Sequence, residues 1–115
     1  MGLGGRVGIR NANELLENLL NFHVEATFQK AESIYQDFKL DNPDELREIK
    51  DVIKHYFFNA VSQQKYNTVA NAAVFYVLKK SNSLLGYNYF HEKFRVDSGS
   101  LKTCYKMIKK IEENL

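Results

Sequence analysis

Val69-Ala70-Asn71-Ala72-Ala73-Val74-Phe75-Tyr76-Val77-Leu78 decides the fold of this chain. The stretch contains neither Gly nor Pro, and its apolar side chains point almost all round a helix, leaving no polar face for water. Its three alanines let neighbouring backbones approach closely. Such a helix belongs at the centre of a domain with other helices wrapped around it, and Asn67 or Thr68 caps its start.

On the N-terminal side, the polar run Ser62-Gln63-Gln64-Lys65 ends a preceding helix whose inner face is Leu46, Ile49, Val52, Ile53, Tyr56, Phe57, Ala60 and Val61. That helix starts at Asp41-Asn42-Pro43-Asp44-Glu45, where Asn42 suits the cap, Pro43 the first helical position and Glu45 a capping box. Further upstream, Leu15, Leu16, Leu19, Leu20, Val24, Phe28, Ala31, Ile34, Tyr35 and Phe38 recur at helical spacing. They form one long helix or two abutting ones that meet near Phe22-His23. Gly2, Gly4, Gly5 and Gly8 make residues 1–10 a flexible leader, with the domain over residues 11–115.

On the C-terminal side, Ser81-Asn82-Ser83 and Gly86 break the chain, Tyr87 to Phe94 form a short helix, and Asp97 or Ser98 caps the last helix. There Leu101, Cys104, Tyr105, Ile108 and Ile111 form an inward stripe, and Lys102, Lys106, Lys109 and Lys110 an outward one. A short helix, a tight turn and a basic helix make a helix-turn-helix-like pair. The expected fold is all-α, one domain of five to six helices with a central alanine-rich helix.

A chain of 115 residues buries roughly two-thirds of its unfolded surface, enough for one core. The single Cys excludes an internal disulfide, and no Cys/His spacing suits zinc, so neither a metal nor a cofactor is expected. The N-terminus lacks the apolar core of a signal peptide and no apolar run reaches membrane-spanning length. The expected setting is soluble and intracellular, nuclear in a eukaryote and otherwise cytoplasmic, with no membrane partner.

The formal charge of +2 hides a division. Residues 11–57 carry ten acidic and five basic side chains; residues 79–111 carry eight basic ones, Lys79, Lys80, Lys93, Arg95, Lys102, Lys106, Lys109 and Lys110, against Glu92 and Asp97. Such a local excess attracts a polyanion, although a solvated lysine face accounts for the same pattern.

This order of helices, with Asn42-Pro43-Asp44-Glu45 leading into Ile53-Lys54-His55-Tyr56-Phe57-Phe58-Asn59-Ala60, then Val69 to Val77, then Ser100 to Ile111, resembles one cyclin-fold repeat of the transcription factor IIB family over about residues 24–113. The family's general factor has two such repeats behind a zinc ribbon; this chain has one and no ribbon cysteines. The sixth subunit of the origin recognition complex has similar domains, and Gly8-Ile9-Arg10 resembles the entry to its middle domain. Cell-cycle cyclins share the fold but typically have a Trp in the first helix, which this chain lacks. The resemblance implies a DNA-binding and assembly module of transcription initiation or, alternatively, of replication origin recognition, with double-stranded DNA and other initiation or origin-complex proteins as partners.

Ser98, Gly99, Ser100, Lys102 and Thr103 occupy the first turns of the last helix, where free backbone N–H groups and the helix dipole favour phosphate. Lys106, Lys109 and Lys110 extend that face, and Arg95 stands in the turn where Gly is usual. No Asn, Gln or Arg opens the helix for bidentate base readout, so the expected binding is weakly sequence-specific. Structural roles account for some of these residues too: Ser98 as a cap, and the lysines near residue 110 as partners of the C-terminal dipole.

His23, His55 and His91 share no partner in sequence, and Cys104 reads as a buried apolar residue. No phosphate loop, carboxylate pair or triad appears, so no catalytic residue is assigned and the chain is not expected to be an enzyme. Among Tyr87-Asn88-Tyr89-Phe90 one ring is expected at the surface. The acidic first half also suits a protein adaptor that docks a basic partner in a cyclin-like groove without DNA.

Overall fold

The computed structural model describes the backbone of residues 3–60 and 62–115 and the side chains of residues 14–60 and 62–115. Five helices are found among the described residues, with no strand: α1 (Leu3–Asp37), α2 (Pro43–Asn59), α3 (Tyr66–Ser81), α4 (Tyr87–Phe94) and α5 (Ser98–Glu113). α1 is one continuous helix through Phe22-His23. Its assigned span reaches back through residues 3–10, which the sequence sets apart as a leader and whose side chains lie outside the described set. Val61, expected on the inner face of α2, also lies outside it.

α3 occupies the centre, in contact with α1, α2 and α5. Thr68 to Phe75, Val77 and Leu78 are all buried, and Ala70, Ala72 and Ala73 are fully enclosed. Without bulky side chains at these alanines, neighbouring helices approach closely and bury their own apolar stripes: Val24, Ala31, Ile34 and Tyr35 from α1; Ile49, Val52, Ile53, Tyr56 and Phe57 from α2; Leu101, Cys104 and Ile108 from α5. Phe75 reaches from α3 toward the last two helices, with its ring 4.9 Å from Tyr87, 5.3 Å from Phe90 and 4.9 Å from Tyr105, spacings at which aromatic rings attract.

Two helix starts show how local and tertiary chemistry divide. At α2, Asn42 Oδ1 accepts from the Asp44 and Glu45 amides at 2.9 and 3.4 Å. The capping box expected of Glu45 closes through a third residue: the Tyr35 hydroxyl donates to Glu45 Oε1 at 2.6 Å and accepts from the Asn42 amide at 3.1 Å. α3 begins at Tyr66 after Lys65, earlier than an Asn67 or Thr68 cap allows, and no side chain caps it. Tertiary packing holds that first turn instead: the Tyr66 hydroxyl is hydrogen-bonded to His23 Nδ1, and its ring packs edge-on to His23 and Phe57. Asn67, freed from capping, accepts from the side-chain Nδ2 of Asn71 on both its carbonyl oxygen, at 2.7 Å, and its side-chain oxygen, at 3.1 Å.

Candidate nucleic-acid interface

α4 and α5 pack against each other across the short link Arg95-Val96-Asp97. Arg95 sits at φ 55, ψ 37, in the left-handed region where glycine is the usual occupant. The arginine makes the same turn a glycine would, with the backbone carrying the strain. Two contacts hold it there: His91 Nδ1 donates to the Val96 carbonyl at 2.7 Å, and the Val96 side chain is buried in the core.

Asp97, rather than Ser98, is the N-cap of α5. Its carboxylate accepts from the Ser100 amide at 2.8 Å, and its carbonyl accepts from the Leu101 amide at 2.9 Å. The Ser100 amide and hydroxyl hold the carboxyl below its ordinary value of 3.8. A Cβ on Gly99 would stand 3.3 Å from Asp97 Oδ2, so the glycine leaves room for the cap. The positive end of α5 therefore already holds an anion of the chain's own. A phosphate arriving at Ser98, Gly99 and Ser100 would meet that carboxylate.

The outer face of α5 is different. Lys102, Thr103, Lys106, Lys109 and Lys110 are all exposed, opposite the buried Leu101, Cys104 and Ile108. Among the described residues none of these four lysines has an acidic partner; Lys102 Nζ lies 5.3 Å from the centre of the Tyr87 ring. Other cations of the basic half are engaged. Lys79 donates to the Ser83 and Leu85 carbonyls at 3.1 and 2.9 Å, Lys80 pairs with Glu48, and Lys93 pairs with Asp37 at 3.1 Å. The acidic first half thus neutralises two of the eight basic groups and leaves the lysines of α5 unneutralised.

Arg95 belongs to another hollow. With Phe94 it lines a shallow depression of about 440 Å³ against Lys30, Ser33, Ile34 and Asp37 of α1 and Asn67 of α3. Thr103, Lys106 and Lys110 instead border an apolar groove of about 510 Å³ between the end of α2 and α5, lined by Ala60, Met107, Ile111 and Leu115. Sequence reading missed this groove. Its trace is the alternation Lys106-Met107 and Lys110-Ile111, two apolar residues one turn apart and each beside a lysine.

His55 Nδ1 donates to Glu112 Oε2 at 2.7 Å, which fastens α5 to α2. Cys104 is buried beside the Tyr56 hydroxyl, and burial pushes its thiol up to about 12. Tyr89 is the exposed ring of the Tyr87–Phe90 run, with Tyr87 half-buried and Phe90 buried. Among the described residues no group of three or more His, Cys, Asp and Glu is placed to hold a metal, and no helix is long and apolar enough to cross a membrane. No protein-family model, curated protein or solved structure matches the chain.

Proposed function

We propose that this chain is a non-catalytic DNA-binding and assembly module, a single cyclin-like repeat of the transcription factor IIB kind, that contacts double-stranded DNA through the outer face of α5. One observation carries the reading: Lys102, Lys106, Lys109 and Lys110 share an exposed face of the second helix of a helix-turn-helix-like pair, with no acidic partner among the described residues. The cyclin-like part is supported by five helices with the third buried at the centre. With Asp97 already capping α5, DNA lies along the side of this helix, where lysines meet phosphates and release counterions with little sequence preference. Transcription initiation is the leading setting and origin recognition the alternative.

Fluorescence anisotropy of a labelled duplex, titrated at low and physiological salt, tests the reading. Four phosphate contacts give a slope of roughly −3.6 in log K against log salt, so binding weakens about a hundredfold over a fourfold rise in salt. Changing the four lysines to Ala together removes binding while leaving helicity and melting unchanged. No binding by the wild type at low salt overturns the reading.

The apolar groove beside these lysines favours a second reading, a protein adaptor that takes an apolar segment between α2 and α5. Binding of that kind depends little on salt.

A further inference from the structure

The groove between the end of α2 and α5 combines an apolar floor with charge of a single sign. Ala60 from the α2 side and Met107, Ile111 and Leu115 from the α5 side form the floor of this hollow of about 510 Å³. Among the described residues its charged lining consists of Lys106 and Lys110, one turn apart on α5. Both are exposed, and neither has an acidic partner among the described residues.

The segments that meet here supply no carboxylate to neutralise those lysines. Residues 52–80, which include the last turns of α2 and the link to α3, contain neither Asp nor Glu. Past Asp97 the acidic side chains are Glu112 and Glu113 alone. Glu112 is held by His55 at 2.7 Å, and neither glutamate lines the groove. A basic segment entering it would meet two unneutralised ammonium groups, whereas an acidic one would find partners for its carboxylates.

Shape narrows the occupant further. From Thr103 to Glu113 α5 runs about 15 Å, close to three turns. A groove of that length, with α5 on one side and the end of α2 on the other, suits an amphipathic helix. Such a helix lays apolar side chains spaced i, i+3, i+4 and i+7 on the floor and keeps its polar face in water. Met107, unbranched and flexible, adapts to the side chain it meets.

We propose that this groove docks an acidic amphipathic helix of a partner protein, its apolar stripe on Ala60, Met107, Ile111 and Leu115 and its carboxylates on Lys106 and Lys110. The proposal rests on the adaptor reading of the groove and not on DNA binding. A duplex on the outer face of α5 would use the same two lysines, so the two ligands exclude one another.

Fluorescence anisotropy with three labelled helical peptides tests it, all with one apolar stripe and with Glu, Gln or Lys beside that stripe. The Glu peptide binds at physiological salt about tenfold more tightly than the Gln peptide, and the Lys peptide does not bind. Lys106→Glu with Lys110→Glu reverses the preference while leaving circular dichroism unchanged. In the wild type the methyl resonances of Met107, Ile111 and Leu115 shift when the Glu peptide is added, a readout that needs no variant. Equal binding of all three peptides at those methyls overturns the acidic partner and leaves the adaptor reading standing; no binding by any of them overturns both. Shifts of the same methyls with protein concentration alone mean that a second copy fills the groove, which also overturns the proposal.

Discussion

Arg95 carries a backbone conformation that its side chain makes unfavourable. At φ 55 an L-residue brings its Cβ close to the following carbonyl, a cost of roughly 1–2 kcal/mol that glycine escapes. The His91 bond to the Val96 carbonyl and the burial of Val96 impose the turn from outside the residue. Arg95→Gly is therefore expected to stabilise the domain by about 0.5–1 kcal/mol, after allowing for the greater freedom of glycine in the unfolded chain. Arg95→Ala keeps the strain and gains nothing. Urea unfolding of both variants separates the two outcomes.

The start of α2 is an element whose stability depends on one hydroxyl from another helix. Tyr35 is fully buried, and its hydroxyl joins the Asn42 amide to the Glu45 carboxylate. Tyr35→Phe strands a backbone donor and is expected to cost about 1–3 kcal/mol in urea unfolding. Burial, and then the bond to Glu45, pushes the Tyr35 hydroxyl from 10.0 up to about 12. A raised folded value favours the protonated form, so its contribution is complete below pH 10 and is lost as pH rises toward 12. Tyr56, also pushed to about 12 by burial, adds in the same direction. Unfolding followed across that window falls less steeply in Tyr35→Phe than in wild type. The same helix shows what sequence can tell: Asn42-Pro43-Asp44-Glu45 is legible because a cap and its first turn are neighbours in the chain, whereas Tyr35 as relay is a tertiary fact. Likewise α3 starts at Tyr66 because His23, 43 residues away, holds it, and no cap residue marks the place. Asp97 and Ser98 are both good caps, so only geometry chooses between them. The lysine face was readable from helical spacing, but the groove beside it was not, since it exists only once the end of α2 lies against α5.

Across the whole molecule, charge and shape are unevenly distributed. The principal extents are 60 × 27 × 27 Å and the radius of gyration is 16.3 Å, against about 13 Å for a compact chain of this length. The excess length agrees with an α1 in which Leu15, Leu16, Leu19 and Phe22 stay exposed beside a well-packed bundle. Glu25, Glu48 and Asp37 bind Lys50, Lys80 and Lys93 and so tie α1 to α2, α2 to α3 and α1 to α4. Four of the cations without an acidic partner among the described residues share the outer face of α5, whose opposite face holds the chain's single thiol. Cys104 is enclosed between α5 and Tyr56 of α2, and a thiol with a value near 12 is almost wholly unreactive at neutral pH. An alkylating reagent reaches it only when α5 leaves the bundle. The labelling rate, divided by that of the unfolded chain, then gives the fraction of time α5 is away, and with excess reagent its plateau gives the opening rate itself. The native sequence thus carries its own probe of how often the lysine-bearing helix comes away, with no residue added to read it.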